Sequence, residues 1–221
     1  MDARSLPIFP LPLVLFPGVV LPLHIFEPRY RRMLEDALAG DRRFGIVFLP
    51  EHTAERELPA GHVGTMAEIQ TAERLPDGRS TIIVRGVERF ALRRWMASPS
   101  PYHVAEVEPY ADLAADEAPL RGVAARVKEQ FERVARAARC LSDDEGPAPS
   151  FPDDPALLAF RIAAVIDLDL PARQRLLVSR SPGERLREIE ALLVRAVEPL
   201  ERRAEVHERA KRNGHGPTNA A

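Results

Sequence analysis

The sequence predicts an α+β protein: an N-terminal β-rich half containing one helix, followed by a C-terminal α-helical bundle. Three observations carry this reading. Short β-branched runs separated by turn signals fill residues 1–112. One stretch of 3.6-residue periodicity interrupts them after Pro28. Beyond about Asp112 the composition turns to Ala, Arg and Glu, with apolar residues at helical spacing. A length of 221 residues suits one large domain or two small ones. We place a β-rich part at 1–112, a helical part at 116–212, and a polar, disordered tail at 213–221.

Residues 5–9 read as an edge strand, because Pro7 cannot donate to a sheet ladder. Residues 11–22 read as an extended loop stiffened by prolines, with a turn at Pro17-Gly18. Glu27-Pro28 opens a helix, with proline where its missing donor costs nothing. Tyr30, Met33, Leu34, Ala37 and Leu38 form its apolar face, and Gly40 is expected to close it as a left-handed cap. Residues 44–49 lack a polar face and suit a buried strand, and residues 51–61 form a polar loop. Residues 63–75 and 80–84 flank the Pro76-Asp77-Gly78 turn as a hairpin. Gly86 marks a bulge or bend before residues 89–92, and residues 102–107 alternate cleanly. Such strands imply a small, mostly antiparallel barrel or sandwich with one helix against it.

In the second half, Val123, Val127, Phe131 and Val134 trace a helical stripe. An acidic, proline-rich linker at 142–155 leads to the apolar helix around Leu157, Phe160 and Ile162, then a short helix at 171–180. Ser181 and Glu184 form a capping box for the last helix. Leu186, Ile189, Leu193, Ala196 and Leu200 line that helix at spacings of three and four; Pro199 is expected to kink or restart it. The stripe is too short to argue a coiled coil, so packing within the bundle is the default.

Charge argues against polyanion partners. The formal net charge is −2, and neither half is one-signed: residues 1–112 carry 13 basic and 15 acidic side chains, residues 113–221 carry 18 of each. Cys140 is the single cysteine, so no internal disulfide or CxxC metal pair exists. Nothing at the N-terminus resembles a signal peptide, and residues 6–26 are broken by prolines and short for a membrane span; the chain is expected to be cytoplasmic.

Motifs for catalysis are missing from the sequence. No GxxxxGK[ST] loop, GxGxxG turn or GxSxG elbow occurs. The two lysines are poorly placed for a serine–lysine dyad, Lys128 in mid-helix and Lys211 in the tail. His52 and His62 lie in one loop with Glu55 and Glu57, but without metal-ligand spacing. His24 reads as a satisfied packing histidine and Cys140 as a half-buried hydrophobe. We expect no enzyme activity, no metal and no cofactor. Arg85, Arg89, Arg93, Arg94 and Trp95 form one basic cluster with an aromatic. An edge strand defended by charge explains it first, a protein contact second, and a nucleic-acid groove third.

Three blocks in order resemble a known family. They are Leu6-Pro7-Ile8-Phe9-Pro10-Leu11-Pro12 with Leu15-Phe16-Pro17-Gly18 through Phe26-Glu27-Pro28-Arg29-Tyr30; then Gly61-His62-Val63-Gly64-Thr65-Met66-Ala67-Glu68-Ile69; then Leu75-Pro76-Asp77-Gly78-Arg79 with Ile82-Ile83-Val84-Arg85-Gly86-Val87-Glu88-Arg89-Phe90. The chain resembles the N-terminal, substrate-binding domain of Lon proteases, nearly throughout to about residue 200. That resemblance implies a PUA-like pseudo-barrel followed by a helical bundle, in a region that captures unfolded or degron-bearing proteins. It also implies a stand-alone member, since the sequence stops where a long helix would lead into the ATPase.

The leading expectation is therefore a non-catalytic module binding proteins in quality control; an RNA-binding role by PUA-like analogy is the alternative. Contact residues are expected at the polar start of the first helix, Glu27, Arg29 and Arg32. Further candidates are Leu13, Leu15 and Phe16 in the stiffened loop, for which packing into the core is the competing reading, and Arg93 with Trp95. Partners are expected to be protein, with no membrane and little claim from nucleic acid.

Overall fold

Period-two alternation builds six strands: β1 (Arg4–Leu11), β2 (Val20–Ile25), β3 (Arg43–Phe48), β4 (Val63–Arg74), β5 (Ser80–Met96) and β6 (His103–Pro109). They are seen in a computed structural model that describes residues 3–114, 116–144, 146 and 150–214. The sheet order is β2-β5-β4-β3-β1-β6, and β6 pairs again with β5. Five strands thus close on themselves and β2 lies outside, paired to β5 alone. Only β1 and β3 run parallel.

β5 makes the closure possible by changing neighbours. Its first half, residues 80–85, pairs with β2; residues 90–96 pair with β6. The changeover follows Gly86, where the β4–β5 register shifts. Gly86 exchanges backbone hydrogen bonds with Gly18 and Val19, and a Cβ there would collide with the Phe16 carbonyl.

Two expectations about strands are corrected. β1 is internal rather than an edge: residues 4–8 pair with β6 and residues 8–11 with β3. Each half has one partner, so Pro7 and Pro10 can each turn the side lacking a donor away from the ladder. The true edge is β2, which carries Pro22. β5 is paired on both sides over residues 80–85 and 90–91, so edge defence does not explain Arg85, and Arg89 is buried; residues 94–96 pair with β6 alone, so Arg93 and Arg94 lie on a one-sided segment.

Helix α1 (Pro28–Ala39) buries Tyr30, Met33, Leu34 and Ala37 as expected, whereas Leu38, expected on the same face, is exposed. The buried residues join Phe9, Leu15, Ile25, Phe44, Ile69, Ile82 and Val84 in one core cluster. Leu6, Ile8, Val47, Leu58, Met66, Phe90, Leu92 and Val107 form a second. Gly40 is not left-handed (φ −107°); the positive φ falls at Arg42 (63°), whose N–H donates to the Ala37 carbonyl, so the reversal comes two residues late.

The chain divides into two compact units: Met1–Leu113 with Ala163–Arg180, and Ala114–Ile162 with Ser181–Ala221. Residues 163–180, expected in the bundle, group with the barrel. A buried arginine fastens them there. Arg89 donates to the carbonyls of Leu177 (2.6 Å) and Ser179 (2.7 Å) and pairs with Asp112. Tyr110 lies between the guanidinium groups of Arg89 and Arg180, each 5.2 Å from its ring, and its hydroxyl donates to the Val178 carbonyl. Asp169 caps α4 (Leu170–Val178) by accepting from the Ala172 N–H.

The second unit contains α2 (Glu117–Ser142), residues 155–162 of α3 (Pro155–Val165), and α5 (Pro182–Gly214). Its interior is Val127, Phe131, Leu158, Phe160, Ile162, Leu186, Ile189, Leu193 and Val197. Arg185 is fully buried over the Phe160 ring at 4.3 Å. Glu184 N–H donates to Ser181 Oγ, the expected cap. Pro199 does not restart α5: burial of Val197 before it and Ala204 after it holds the helix through the missing donor. Residues 213 and 214 still belong to α5; the rest of the expected tail, 215–221, lies outside the described residues.

Candidate functional site: the outer face of β2 and β5

Because side chains alternate along a strand, β2 sends Leu21, Leu23 and Ile25 toward the core and Val20, Pro22 and His24 outward. Phe26 continues the outward row, its ring stacked on His24 at 6.2 Å. The pairing register sets Val20 beside Arg85, Pro22 beside Ile83 and His24 beside Thr81; across β5, β4 adds Glu68, Thr71 and Glu73 in the same rows. Val20 is 52% exposed, Phe26 59% and Ile83 38%. The apolar residues of this face are thus Val20, Pro22, Ile83 and Phe26, with His24 between Pro22 and Phe26 and with Arg85 beside Val20. The Arg85–Glu68 pair (3.8 Å) stands at one end and Glu73 at the other. His24, expected as a satisfied packing histidine, sits on this exposed row, stacked on Phe26.

A second group of polar residues converges at the start of α1, and it is structural. Glu55 accepts two bonds from Arg29 (2.8 Å each), one from Tyr30 Oη (3.3 Å) and one from His103 Nε2 (2.6 Å). Arg29 also bonds Glu27 (3.0 Å) and lies 4.4 Å from the Tyr30 ring. Burial pushes the Glu55 carboxyl up, but the Arg29 guanidinium and His103 outweigh it and hold the group below the usual carboxylate range. Burial, with Glu55 behind it, pushes the Tyr30 hydroxyl up. The clamp fixes the 3-10 turn Glu55–Glu57, and Leu58 just after it is buried in the second core cluster.

The structure scatters the expected contact residues. Leu15 (2% exposed) and Phe16 (1%) are buried, so the loop packs into the core and offers no contact through them; Leu13 packs half-buried against the same cluster. Arg29 is consumed by the Glu55 clamp, and Glu27 is its neighbour in that clamp and the N-cap residue of α1. Arg32 is exposed and pairs with Asp36. The basic cluster on β5 does not form one patch: Arg85 is exposed, Arg89 is buried beneath residues 177–179 on the face opposite Phe90 and Leu92, and Arg93 and Arg94 share Glu106 (3.3 and 2.6 Å). Trp95 is half-buried, edge-on to His103 at 5.5 Å. Each of these arginines faces an acid, which leaves no basic groove on β5.

Val20, Pro22, Ile83 and Phe26 were the residues missed. Their signal lay in the even positions of residues 20–26, Val, Pro, His and Phe, where an outward strand face ordinarily carries charge. Among the described residues no three His, Cys, Asp or Glu side chains gather as a metal site, and no helix is long and apolar enough to cross a membrane. Partial burial, then Glu208, pushes the Cys140 thiol up, away from the thiolate a nucleophile needs.

A barrel-like mixed sheet followed by helices defines an α+β protein. The family described as ATP-dependent protease La (LON) substrate-binding domain matches residues 5–195, and the chain belongs to that family. It is 34% identical over 206 residues to Lon protease 2 of Herpetosiphon aurantiacus, covering 89% of this chain and 24% of that protein. It is 30% identical to Lon protease 1 of Thermus thermophilus, covering 94% and 26%. The chain therefore spans about a quarter of the length of these relatives. Among solved structures, the Lon N-terminal domain protein from Xanthomonas campestris superposes with a TM-score of 0.59 at 27% identity, covering 85% of this chain and 98% of that one. The N-terminal domain of Mycobacterium avium complex Lon protease gives 0.66 at 19% identity, covering 86% and 98%, a likeness of fold.

Proposed function

We propose that this chain is a non-catalytic, cytoplasmic recognition module that holds extended apolar stretches of unfolded or degron-bearing proteins in quality control. The observation that carries the reading is the exposed apolar group Val20, Pro22 and Phe26 with Ile83, on a strand pair whose other face carries Leu21, Leu23, Ile25, Ile82 and Val84 against the core. An apolar face bordered by charge is what a recognition surface requires: burial supplies affinity, and the polar border supplies orientation. Membership of a substrate-binding family supports the same reading, as does the match to the N-terminal part of Lon relatives. The free edge of β2 is blunted by Pro22, so side-chain burial, rather than strand addition, is the mode of contact.

The test is fluorescence anisotropy with a labelled, carboxymethylated polypeptide that cannot fold. Binding is expected for the wild type and a loss of roughly 1–2 kcal/mol, about tenfold, for Val20→Asp or Ile83→Asp. Arg32→Ala should leave affinity unchanged. Equal binding by all these variants would remove the face from the proposal. Peptide cleavage or nucleotide turnover abolished by one substitution in the chain would remove the non-catalytic role.

A further inference from the structure

Helices α2 and α5 of the second unit run parallel, side by side, as their cross-helix pairs show: Arg126–Glu190, Arg133–Glu201 and Asp143–His207. Along their C-terminal halves one face opens into two contiguous hollows of about 370 and 390 Å³, which share Arg136, Cys140 and Glu208. Small side chains make the floor, Ala137, Cys140 and Ala204. The rims are divided by charge. α2 contributes Arg133, Arg136 and Arg139, and the residues just after it Asp143 and Asp144; α5 contributes Glu201, Glu205 and Glu208, with His207 and Lys211 at the far end. Each rim is basic where the other is acidic, and the signs exchange at the far end.

We propose that this groove is a docking surface for a second copy of the same chain, laid face to face about a two-fold axis running along the groove. That axis sets α2 of one copy over α5 of the other at the same level, arginine row on glutamate row and Asp143 over His207 and Lys211. An axis across the groove would instead bring Arg136 and Arg139 against their own counterparts and Glu205 near itself. The charge pattern selects the first arrangement. Within one chain Arg133 is satisfied by Glu201 (2.8 Å), and Asp143 by His207 (3.1 Å) and Lys211. Among the described residues, Arg136 is exposed and has no ion-pair partner within 4 Å, and Glu205 has Arg209 at 3.9 Å. Those two are the groups a partner would complete. The small floor lets the facing helices approach closely.

The facing segments are each about 17 Å long, so two helices cover roughly 700 Å² in total. That is below the roughly 1,200 Å² of stable interfaces, so the dimer is weak and concentration-dependent.

Sedimentation velocity on the full chain, over a concentration series, tests this. Reversible dimerisation weakened by salt is expected. Arg136→Glu and Glu205→Arg should each weaken self-association about tenfold or more, because each places like charges across the axis. Mixing the two variants should restore association, since each then meets the opposite charge in its partner; pairing within one chain could not produce that rescue. Circular dichroism melts of each variant check that the helices are intact. Should either variant fail to fold, a bulky maleimide on Cys140, the single cysteine, is expected to split the dimer. A monomer at every concentration overturns the proposal, as does a dimer insensitive to both reversals and to the Cys140 adduct.

Discussion

Residues 13–16 and 20–26 lie a few positions apart, and both are apolar, the first flanked by Pro12 and Pro17 and the second interrupted by Pro22, yet they meet opposite fates. In the first segment Leu15 and Phe16 are almost completely buried; in the second, Val20 and Phe26 remain more than half exposed. The loop is held inward by partners far along the chain. Thr65 Oγ1 donates to the Leu15 carbonyl (2.6 Å), and Gly86 makes room for the Phe16 carbonyl. β2 is held by its ladder to β5, which fixes one of its faces inward and thereby commits the other outward. Exposure here follows from what a segment pairs with, and hydrophobicity alone does not decide it.

The sharpest way to break the comparison is to truncate the buried segment. Phe16→Ala should cost about 3–5 kcal/mol, measured by urea unfolding, because the cavity left by a packed ring is refilled only in part. A loss below 1 kcal/mol would mean that the loop packs loosely and that its difference from β2 is one of degree.

Next in size is Arg89, the residue that joins residues 163–180 to the barrel. Arg89→Ala removes one donor each from Asp112 and the Leu177 and Ser179 carbonyls and should cost about 3 kcal/mol. Arg89→Lys should recover little, since an ammonium group cannot serve three acceptors in the geometry of a planar fork. Faster hydrogen exchange in residues 170–180 than in β1 would locate the damage. Uniform acceleration throughout the barrel would mean that Arg89 supports the whole unit.

Arg89 also shows where the sequence stops being readable. The α+β class, helix α1 and its apolar face, the strands flanking Pro76-Asp77-Gly78, and the cap at Ser181 were all legible, because each depends on residues within one or two turns of one another. The role of Arg89 was not. It stands in a run of arginines, and what buries it is residues 177–179, almost ninety positions later, which cover the face opposite Phe90 and Leu92, while Arg85 and Arg93 stay exposed. The closure of the barrel was hidden for a related reason: β5 changes partner midway, and no local pattern records which strand lies alongside. Of the expected contact residues, Arg29 misled because a charged residue off the apolar stripe of a helix ordinarily faces water. Glu55, 26 positions later, takes it instead.

That clamp gives a prediction of intermediate size and defined sign. The Glu55 carboxyl is held below its ordinary value near 4.5, so its ionised form stabilises the fold above that pH; the contribution is lost as pH falls through the lowered value. Glu55→Gln should therefore cost about 1–2 kcal/mol at pH 7. The difference from wild type should shrink steadily below pH 4.5. Urea unfolding at pH 3, 5 and 7 measures it. A gap that stays constant over this range would assign the loss to packing at Leu58 rather than to the charge on Glu55.

The smallest effect on stability is expected where the apolar face is least buried. Phe26→Ser removes a ring whose one aromatic contact is His24, so stability should change by no more than about 0.5 kcal/mol. Affinity for an unfolded polypeptide should nevertheless fall several-fold. This pairing of outcomes is the reverse of that for Phe16→Ala, which should lower stability first and binding only through unfolding. If Phe26→Ser instead destabilised the chain by 2 kcal/mol or more, the outward row would be contributing to the fold, and its exposure could no longer be read as a surface kept for another protein. A stable Phe26→Ser variant with weakened binding would separate the two apolar segments by role: one held inward by the barrel, the other left outside for a partner to cover.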